Sequence, residues 1–389
     1  MSDLPAYERD PYLMALATRV LRVGDDGRPF AVLEDTVLYP EGGGQPPDFG
    51  DLGGIRVLDV QKREGEVRHY LDAPLSPGPV ELRLDWERRF DHMQQHTGQH
   101  LLTAVAQARF GWETTAFHLG DEVCDIELDT PGIAPADLLR LEEAVAAEIR
   151  AGRPVSSVRV RPEDLPALDV RSRGLPEGFT GDVRLVTIQG VDTNTCGGTH
   201  VRSTAELEAL ALLGTESLRG GTRLFFVAGG RLRRRLAAHE RRNGRLRTLL
   251  GAPDAGLEAA LEARLDQARN QDRRVKVLEE ELADLQVEAL AALPGTLAEH
   301  HFEGRDVAFL QRVGRQLAAA APGKAVFLTA TLEGQHFFLV TAGAASNLDV
   351  AAKGRAVAEL LGGRGGGSGQ LFQGKAPNLQ ARAEALRTL

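Results

Sequence analysis

Two pairs of side chains at matching spacing constrain this chain more than any other feature: His96 and His100 in HMQQHTGQHLL, and Cys196 and His200 in VDTNTCGGTH, about a hundred positions further on. Imidazole nitrogens and one thiolate in a set of four are donors that a tetrahedral zinc ion prefers. An ion held this way ties distant stretches of chain into one domain. On a helix, residues four apart lie about 40° from eclipsed on one face, so His96 and His100 can aim at one ion. Cys196 and His200 share that spacing but enclose two glycines, which predicts a tight loop instead of a regular helix. Each half also has an ordinary reading. Two histidines near a helix start can pack or face solvent, and a lone cysteine is usually a small buried hydrophobe. Together the four match a coordination chemistry that neither half matches alone. His92 and His118, outside the set, are expected in structural or surface roles.

The 389 residues hold material for two to four domains. Apolar and charged fractions of 42% and 26% are those of a soluble globular protein. The expected fold class is α+β, multidomain. Residues 1–88 carry short alternating runs (ALATRVLRVG, IRVLDVQKR, EVRHYL, VELRLDW) broken by Gly, Pro and Asp, which predict a small antiparallel β-barrel or sandwich. Residues 89–230 mix helical stretches (HTGQHLLTAVAQARFG, ADLLRLEEAVAAEIRAG) with strands (VCDIEL, VSSVRVR, VRLVTIQG, TRLFFVAG), an α+β domain that contains the zinc site. Residues 231–295 show heptad-like apolar spacing with dense charge of both signs, as in a long helix or coiled coil, interrupted near GAPDAG at 251–256. Residues 296–389 return to strand and helix alternation around the run GGRGGGSGQ, a separate α/β domain.

No window of eighteen apolar residues exists, and the N-terminus lacks a basic stretch followed by an apolar one, so neither a membrane span nor a secretory signal is expected. Two cysteines in so long a chain, Cys124 and Cys196, do not make a disulfide framework, which points to a reducing cytoplasm. A net charge of −9 argues against a nonspecific polyanion binder. One basic stretch stands out. From Arg231 to Arg247 the chain carries eight arginines against one glutamate, which either meets phosphates or pairs with the acidic run beyond the turn.

Three motifs in this order, TVLYPEGGGQPPDFG (Thr36 to Gly50), HTGQH and CGGTHV, resemble those of the alanyl-tRNA editing proteins, the AlaX family, and of the matching editing domain of alanyl-tRNA synthetase. The resemblance covers residues 1 to about 235. The helical stretch and the last ninety residues, with LGGRGGGSGQLFQGKAP, resemble the C-terminal domain of alanyl-tRNA synthetase as found in long members of the editing family. With no class II aminoacylation core ahead of the editing region, a stand-alone editor is expected.

The resemblance implies hydrolysis of the ester joining serine, and also glycine, to alanine tRNA, with one Zn2+ per chain on His96, His100, Cys196 and His200. A pocket built for alanine cannot strongly reject glycine or serine, so a second sieve is needed, and it must detect something alanine lacks. By its place upstream of the glycine run, Thr36 is the candidate partner for the serine hydroxyl; its ordinary reading is a β-branched strand residue. Gly42, Gly43 and Gly44 would let backbone approach the terminal adenosine or aminoacyl group, and Gln45 would orient an ester or a water, unless the four only make a hairpin turn. Glu216, Arg219 and Arg223 are further substrate-binding candidates, and Arg364 and Lys375 are candidates for gripping the tRNA elbow. Two roles for zinc stay open: a closed four-ligand site that shapes the pocket, or one that frees a position to activate water. Two other readings compete, a zinc-stabilised tRNA-binding module without turnover and a hydrolase for another aminoacyl-tRNA. The heptad spacing predicts a homodimer through the coiled coil or the C-terminal domain.

Overall fold

Alternation of apolar and polar residues closes the first part of the chain on itself. In the computed structural model, which describes residues 4–171, 174 and 181–389, the short helix α1 (Ala6–Arg9) is followed by strands β1 (Ala15–Asp25), β2 (Pro29–Leu33), β3 (Gly50–Leu52), β4 (Ile55–Arg63), β5 (Glu66–Leu71) and β6 (Gly78–Leu84). They form a closed barrel in the order β1-β2-β5-β4-β3-β6, which leaves no free sheet edge. Val20, Ala31, Leu52, Val60 and Leu82 fill its interior. The connection between β2 and β3 is not a surface loop. Thr36, Val37, Leu38, Tyr39, Gln45 and Asp48 within it are all buried, and it carries the glycine run.

Helix α2 (Trp86–Phe110) follows at once, capped by the Asp85 carboxylate accepting from the Arg88 N–H at 3.2 Å and closed by Gly111 at φ 72°. The sequence pattern placed the start of this helix at the HTGQH run; it begins ten residues earlier, and His96 sits in mid-helix. The polar stretch ahead of His96 conceals the helix because its side chains are bonded inside the protein. Gln95 exchanges hydrogen bonds with the backbone of Ala228, donating at 3.0 Å and accepting at 2.9 Å, and Gln94 does the same with Glu206 and Gly230.

Next come β7 (Thr114–Leu119), β8 (Cys124–Leu128), α3 (Pro135–Arg150), β9 (Val155–Val160), β10 (Val183–Ile188), β11 (Asp192–Thr195), β12 (Leu210–Leu218) and β13 (Gly221–Ala228). They build a four-stranded sheet, β12-β13-β8-β7, and a three-stranded sheet, β11-β10-β9. Met93, Leu101 and Leu102 of α2 share one core with Leu141 and Val145 of α3 and with Ile126 and Phe226 of the larger sheet. Helix α4 (Gly229–Leu250) completes most of this unit, which spans Met1–Gly244.

The second unit, Arg245–Leu389, holds α5 (Leu257–Ala292), β14 (Leu297–Glu303), α6 (Val307–Ala320), β15 (Ala325–Leu332), β16 (Gln335–Ala342), α7 (Val350–Leu360), β17 (Arg364–Ser368), β18 (Leu371–Ala376) and α8 (Arg382–Arg387). Gly251 at φ 65° and a short 3-10 turn, Asp254–Gly256, precede α5, where the sequence pattern breaks. Its sheet runs β14-β15-β16-β18-β17, with only β14 and β15 parallel. Strand period sorts the two faces: Val326, Leu328 and Ala330 pack with α6 and the end of α5, whereas Phe327 joins Phe338, Phe372 and α7. The run Arg364–Ser368 becomes the edge strand of a hairpin, with Arg364 in register with Lys375.

Candidate metal centre

Helix α2 supplies His96 and His100 from one face, and the loop after β11 supplies Cys196 and His200. Their donor atoms all lie within 4.8 Å of one another, and three of the four residues are buried outright. Cys196 Sγ stands 3.4 Å from His96 Nε2 and 3.3 Å from His200 Nε2. Tetrahedral zinc, with bonds of about 2.3 Å to sulfur and about 2.0–2.1 Å to nitrogen, sets neighbouring donors roughly 3.3–3.6 Å apart, and the two sulfur–nitrogen distances fit that spacing.

The other ring atoms fix which nitrogens face the centre. His96 Nδ1 lies 2.9 Å from Gln45 Oε1, an acceptor, so Nδ1 carries the proton and Nε2 keeps its lone pair. His200 Nδ1 is held by Thr97 Oγ1 at 3.1 Å, and the same hydroxyl accepts from the Val201 N–H. His100 Nδ1 faces Asp192 Oδ2 at 3.8 Å, a carboxylate already gripped by Arg171. Burial pushes His96 down to about 3 and His100 and His200 well below the usual imidazole range, which leaves three neutral, ligand-ready rings. The same burial pushes the Cys196 thiol up, opposed by the Gly198 N–H on its sulfur at 3.3 Å and by Arg184 and Arg171. A bound cation is what would tip it to the thiolate.

Local chain geometry explains the motif glycines. A Cβ on Gly198 would stand 2.3 Å from the His96 ring and 2.8 Å from Gln45 Oε1, so no larger residue fits between cysteine and histidine. Gly44 adopts φ 79°, and a Cβ there would meet Phe117 at 2.7 Å. Arg184 on β10 clamps the loop by donating to the carbonyls of Cys196 at 3.0 Å and Gly198 at 2.7 Å. Behind the glycine run, the buried Asp48 and Arg89 form an ion pair; Arg89 also donates to the carbonyls of Val37 and Pro11, and Asp48 accepts from the Tyr39 N–H. This pair seats the whole segment on α2.

A cavity of about 790 Å3 opens on the centre, lined among others by Gly43, Gly44, His96, His100 and Cys196. Not every sequence candidate reaches it. Gln45 is buried and spent on His96 and on Thr199, whose N–H it accepts at 3.0 Å and whose hydroxyl it meets at 2.9 Å. In the structure its amide oxygen holds the His96 imidazole. Gly42 closes a tight turn with Gln45 and stays out of the lining. Thr36 is 4% exposed and also lies outside the lining. Its hydroxyl accepts from the Leu38 N–H at 3.0 Å and meets His69 Nε2 at 2.8 Å. Glu216, Arg219 and Arg223 belong to the β12–β13 hairpin, away from the lining, and Arg223 is paired with Glu127 at 2.6 Å. Arg231, read as part of a basic face, is buried and bound to Asp91 at 2.7 Å, because it anchors the start of α4. His118 is exposed beside Asp125, and His92 is buried within α2.

Sequence reasoning passed over Gln99, Thr103, Gln107, Glu113, Thr114, Phe117, Arg171 and Asn194, all in the cavity wall. A signal existed for three of them. Gln99, Thr103 and Gln107 follow His96 at helical spacing on its own face.

The motifs have relatives of matching extent. A family model described as Threonyl and Alanyl tRNA synthetase second additional domain matches residues 183–225, the stretch from β10 into β13 that holds the CGGTH loop. The alanyl-tRNA editing protein Aarsd1 of Mus musculus is 39% identical over 366 residues, 91% of this chain and 86% of its own. The protein of the same name from Rattus norvegicus is 40% identical with the same coverage. Alanine–tRNA ligase of Ignicoccus hospitalis is 29% identical over 93% of this chain but only 40% of its own. Motifs, geometry and end-to-end similarity thus agree, and the chain belongs to the alanyl-tRNA editing protein family.

Proposed function

We propose that this chain is a trans-editing hydrolase that cleaves the ester joining serine, and also glycine, to alanine tRNA in the cytoplasm. One observation carries the reading: four donors of zinc-binding type converge at one point, and three of them, His96, His100 and Cys196, line a cavity whose volume, about 790 Å3, suits an aminoacyl-adenosine end. One zinc ion per chain would sit on His96, His100, Cys196 and His200 and supply Lewis-acid polarisation of the ester or of the attacking water. The remaining work belongs to the chain. Gly43 and Gly44 let the backbone come close to the substrate, Gln45 holds the tautomer of His96, and Arg184 holds the loop of Cys196. Phosphates of the tRNA would meet the exposed Arg235, Arg241 and Arg242 of α4 and Arg219 of the β12–β13 hairpin, while Glu216 on that hairpin would meet a donor of the substrate; Arg364 and Lys375 serve the second unit in the same way as the arginines. No helix among the described residues is long and apolar enough to cross a membrane. A second copy of the chain, joined through α5, is the proposed protein partner.

Incubating the zinc-loaded protein with alanine tRNA charged with serine, glycine or alanine, with and without a chelator, tests this reading. Seryl and glycyl esters are expected to disappear, alanyl ester to persist, and chelation to abolish the difference. His96→Ala is expected to lose both metal and turnover. Tight tRNA binding with the seryl ester decaying at its uncatalysed rate would make the centre a structural clip.

A further inference from the structure

One polar side chain in the cavity wall has its bonding potential half used. Gln99, in the turn of α2 between His96 and His100, is 3% exposed and lines the cavity with them. Its Nε2 donates to Thr103 Oγ1 at 2.9 Å, and that hydroxyl also accepts from Thr114 Oγ1 at 3.1 Å. The oxygen end is left over. Gln99 Oε1 is buried and has no hydrogen-bond partner among the described residues. The three neighbouring buried glutamines are different: Oε1 of Gln45, Gln94 and Gln95 accept from the N–H groups of Thr199, Gly230 and Ala228 at 2.9–3.0 Å. A buried acceptor left unmet costs about 1–3 kcal/mol, a cost that a ligand supplying the missing donor removes.

We propose that Gln99 determines specificity by accepting a hydrogen bond from the serine hydroxyl of the mischarged ester. The inference rests on the reading of the chain as a seryl-tRNA hydrolase. Serine differs from alanine by one hydroxyl, and only a site with a waiting polar partner turns that difference into selectivity. An amide oxygen accepts from a hydroxyl, whereas the ammonium that seryl, glycyl and alanyl esters share gains more from a carboxylate. That ammonium has the carboxylate of Glu113 in the same wall. Thr36 is poorly placed for the task. His69 Nδ1 faces the Ala31 carbonyl at 3.2 Å and must donate there, so the neutral ring presents Nε2 as an acceptor and takes the Thr36 hydroxyl proton. Leu38 N–H occupies one of the two lone pairs, and the residue is outside the cavity lining.

The test uses the full-length, zinc-loaded chain and compares kcat/KM for seryl-, glycyl- and alanyl-tRNA in Gln99→Met and Gln99→Glu. Gln99→Met removes the acceptor at nearly constant volume. Its seryl activity is expected to fall about tenfold or more while activity on glycyl and alanyl esters changes less than about twofold. Zinc stoichiometry is expected to hold, and Tm to stay or rise, because an unmet acceptor has been replaced by apolar atoms. Gln99→Glu keeps an oxygen in place and is expected to retain the preference for serine over alanine. An unchanged serine-to-alanine ratio in Gln99→Met, or an equal fall on all three esters, overturns the proposal. Should Gln99→Met not fold, loss of serine preference in a folded, zinc-bound Gln99→Glu overturns it instead. A wild-type protein inactive on seryl-tRNA removes the underlying reading, an outcome distinct from either.

Discussion

Two long helices of this molecule reverse the usual rule about which residues go inside. Every residue of α2 from His92 to Ala106 is buried, although that stretch contains three histidines, three glutamines and two threonines. In α5, 36 residues long, only Ala283, Val287 and Leu290 are buried, while Leu261, Leu265, Val275, Leu278 and Leu285 stand about half exposed or more. Burial follows partners and not polarity alone. Most polar groups of α2 have a backbone, ring or ion-pair partner or face the cavity, so their desolvation is offset; His92 Nδ1, buried with no hydrogen-bond partner among the described residues, is an exception. The leucines of α5 have no such neighbours over most of the helix, and an unpartnered apolar stripe on a helix of heptad spacing is what a second helix would cover.

The sharpest way to break this contrast is to remove one partner from the buried helix. Arg89→Ala strands the Asp48 carboxylate at zero exposure, and chemical denaturation is expected to register a loss of about 3–5 kcal/mol, together with loss of the metal. A stability loss below about 1 kcal/mol would mean that the pair does not seat the glycine-run segment.

Acid probes the same helix more gently. His92 is held neutral, its pKa lowered by burial from 6.5 to about 4. The unfolded chain therefore binds the extra proton between those values, so His92 contributes its full stability above pH 6.5 and loses it progressively as pH falls toward 4, up to about 3 kcal/mol. Equilibrium unfolding across that window is expected to slope in this sense for the wild type and less for His92→Gln. Helix α5 contains no histidine, so local exchange of its amides is expected to lack the slope.

The smallest effect belongs to the exposed helix. Leu265→Ala and Leu278→Ala are each expected to change the stability of the monomer by less than about 0.5 kcal/mol. Sedimentation of the double variant sharpens the comparison: weakened self-association identifies the stripe as an interface between copies, and unchanged sedimentation removes α5 from that role.

Much of the site was readable before any coordinates. His96, His100, Cys196 and His200 announce themselves because donor type and spacing are local properties, and Gly198 and Gly44 stand where only glycine fits. The barrel strands were likewise visible in their period-two alternation. What escaped was written in long-range pairing. Arg89 meets Asp48 from 41 positions away and Arg184 grips the Cys196 loop across a strand pair, so neither carries a local signature. The early start of α2 escaped because its polar residues mimic a solvated segment. Glu216, Arg219 and Arg223 lie off the cavity lining, because nearness in sequence to the CGGTH loop did not become nearness to the cavity.

From its order of residues alone, this protein determined its donor chemistry, its strand periods and the break ahead of α5, since each depends on side chains within a few positions of one another. The tertiary structure alone decided which imidazole nitrogen faces the centre, which glutamine oxygen waits without a partner and which arginine is buried. Those outcomes depend on groups brought together from separate elements, and hydrogen-bond geometry at about 3 Å is not encoded in any single segment.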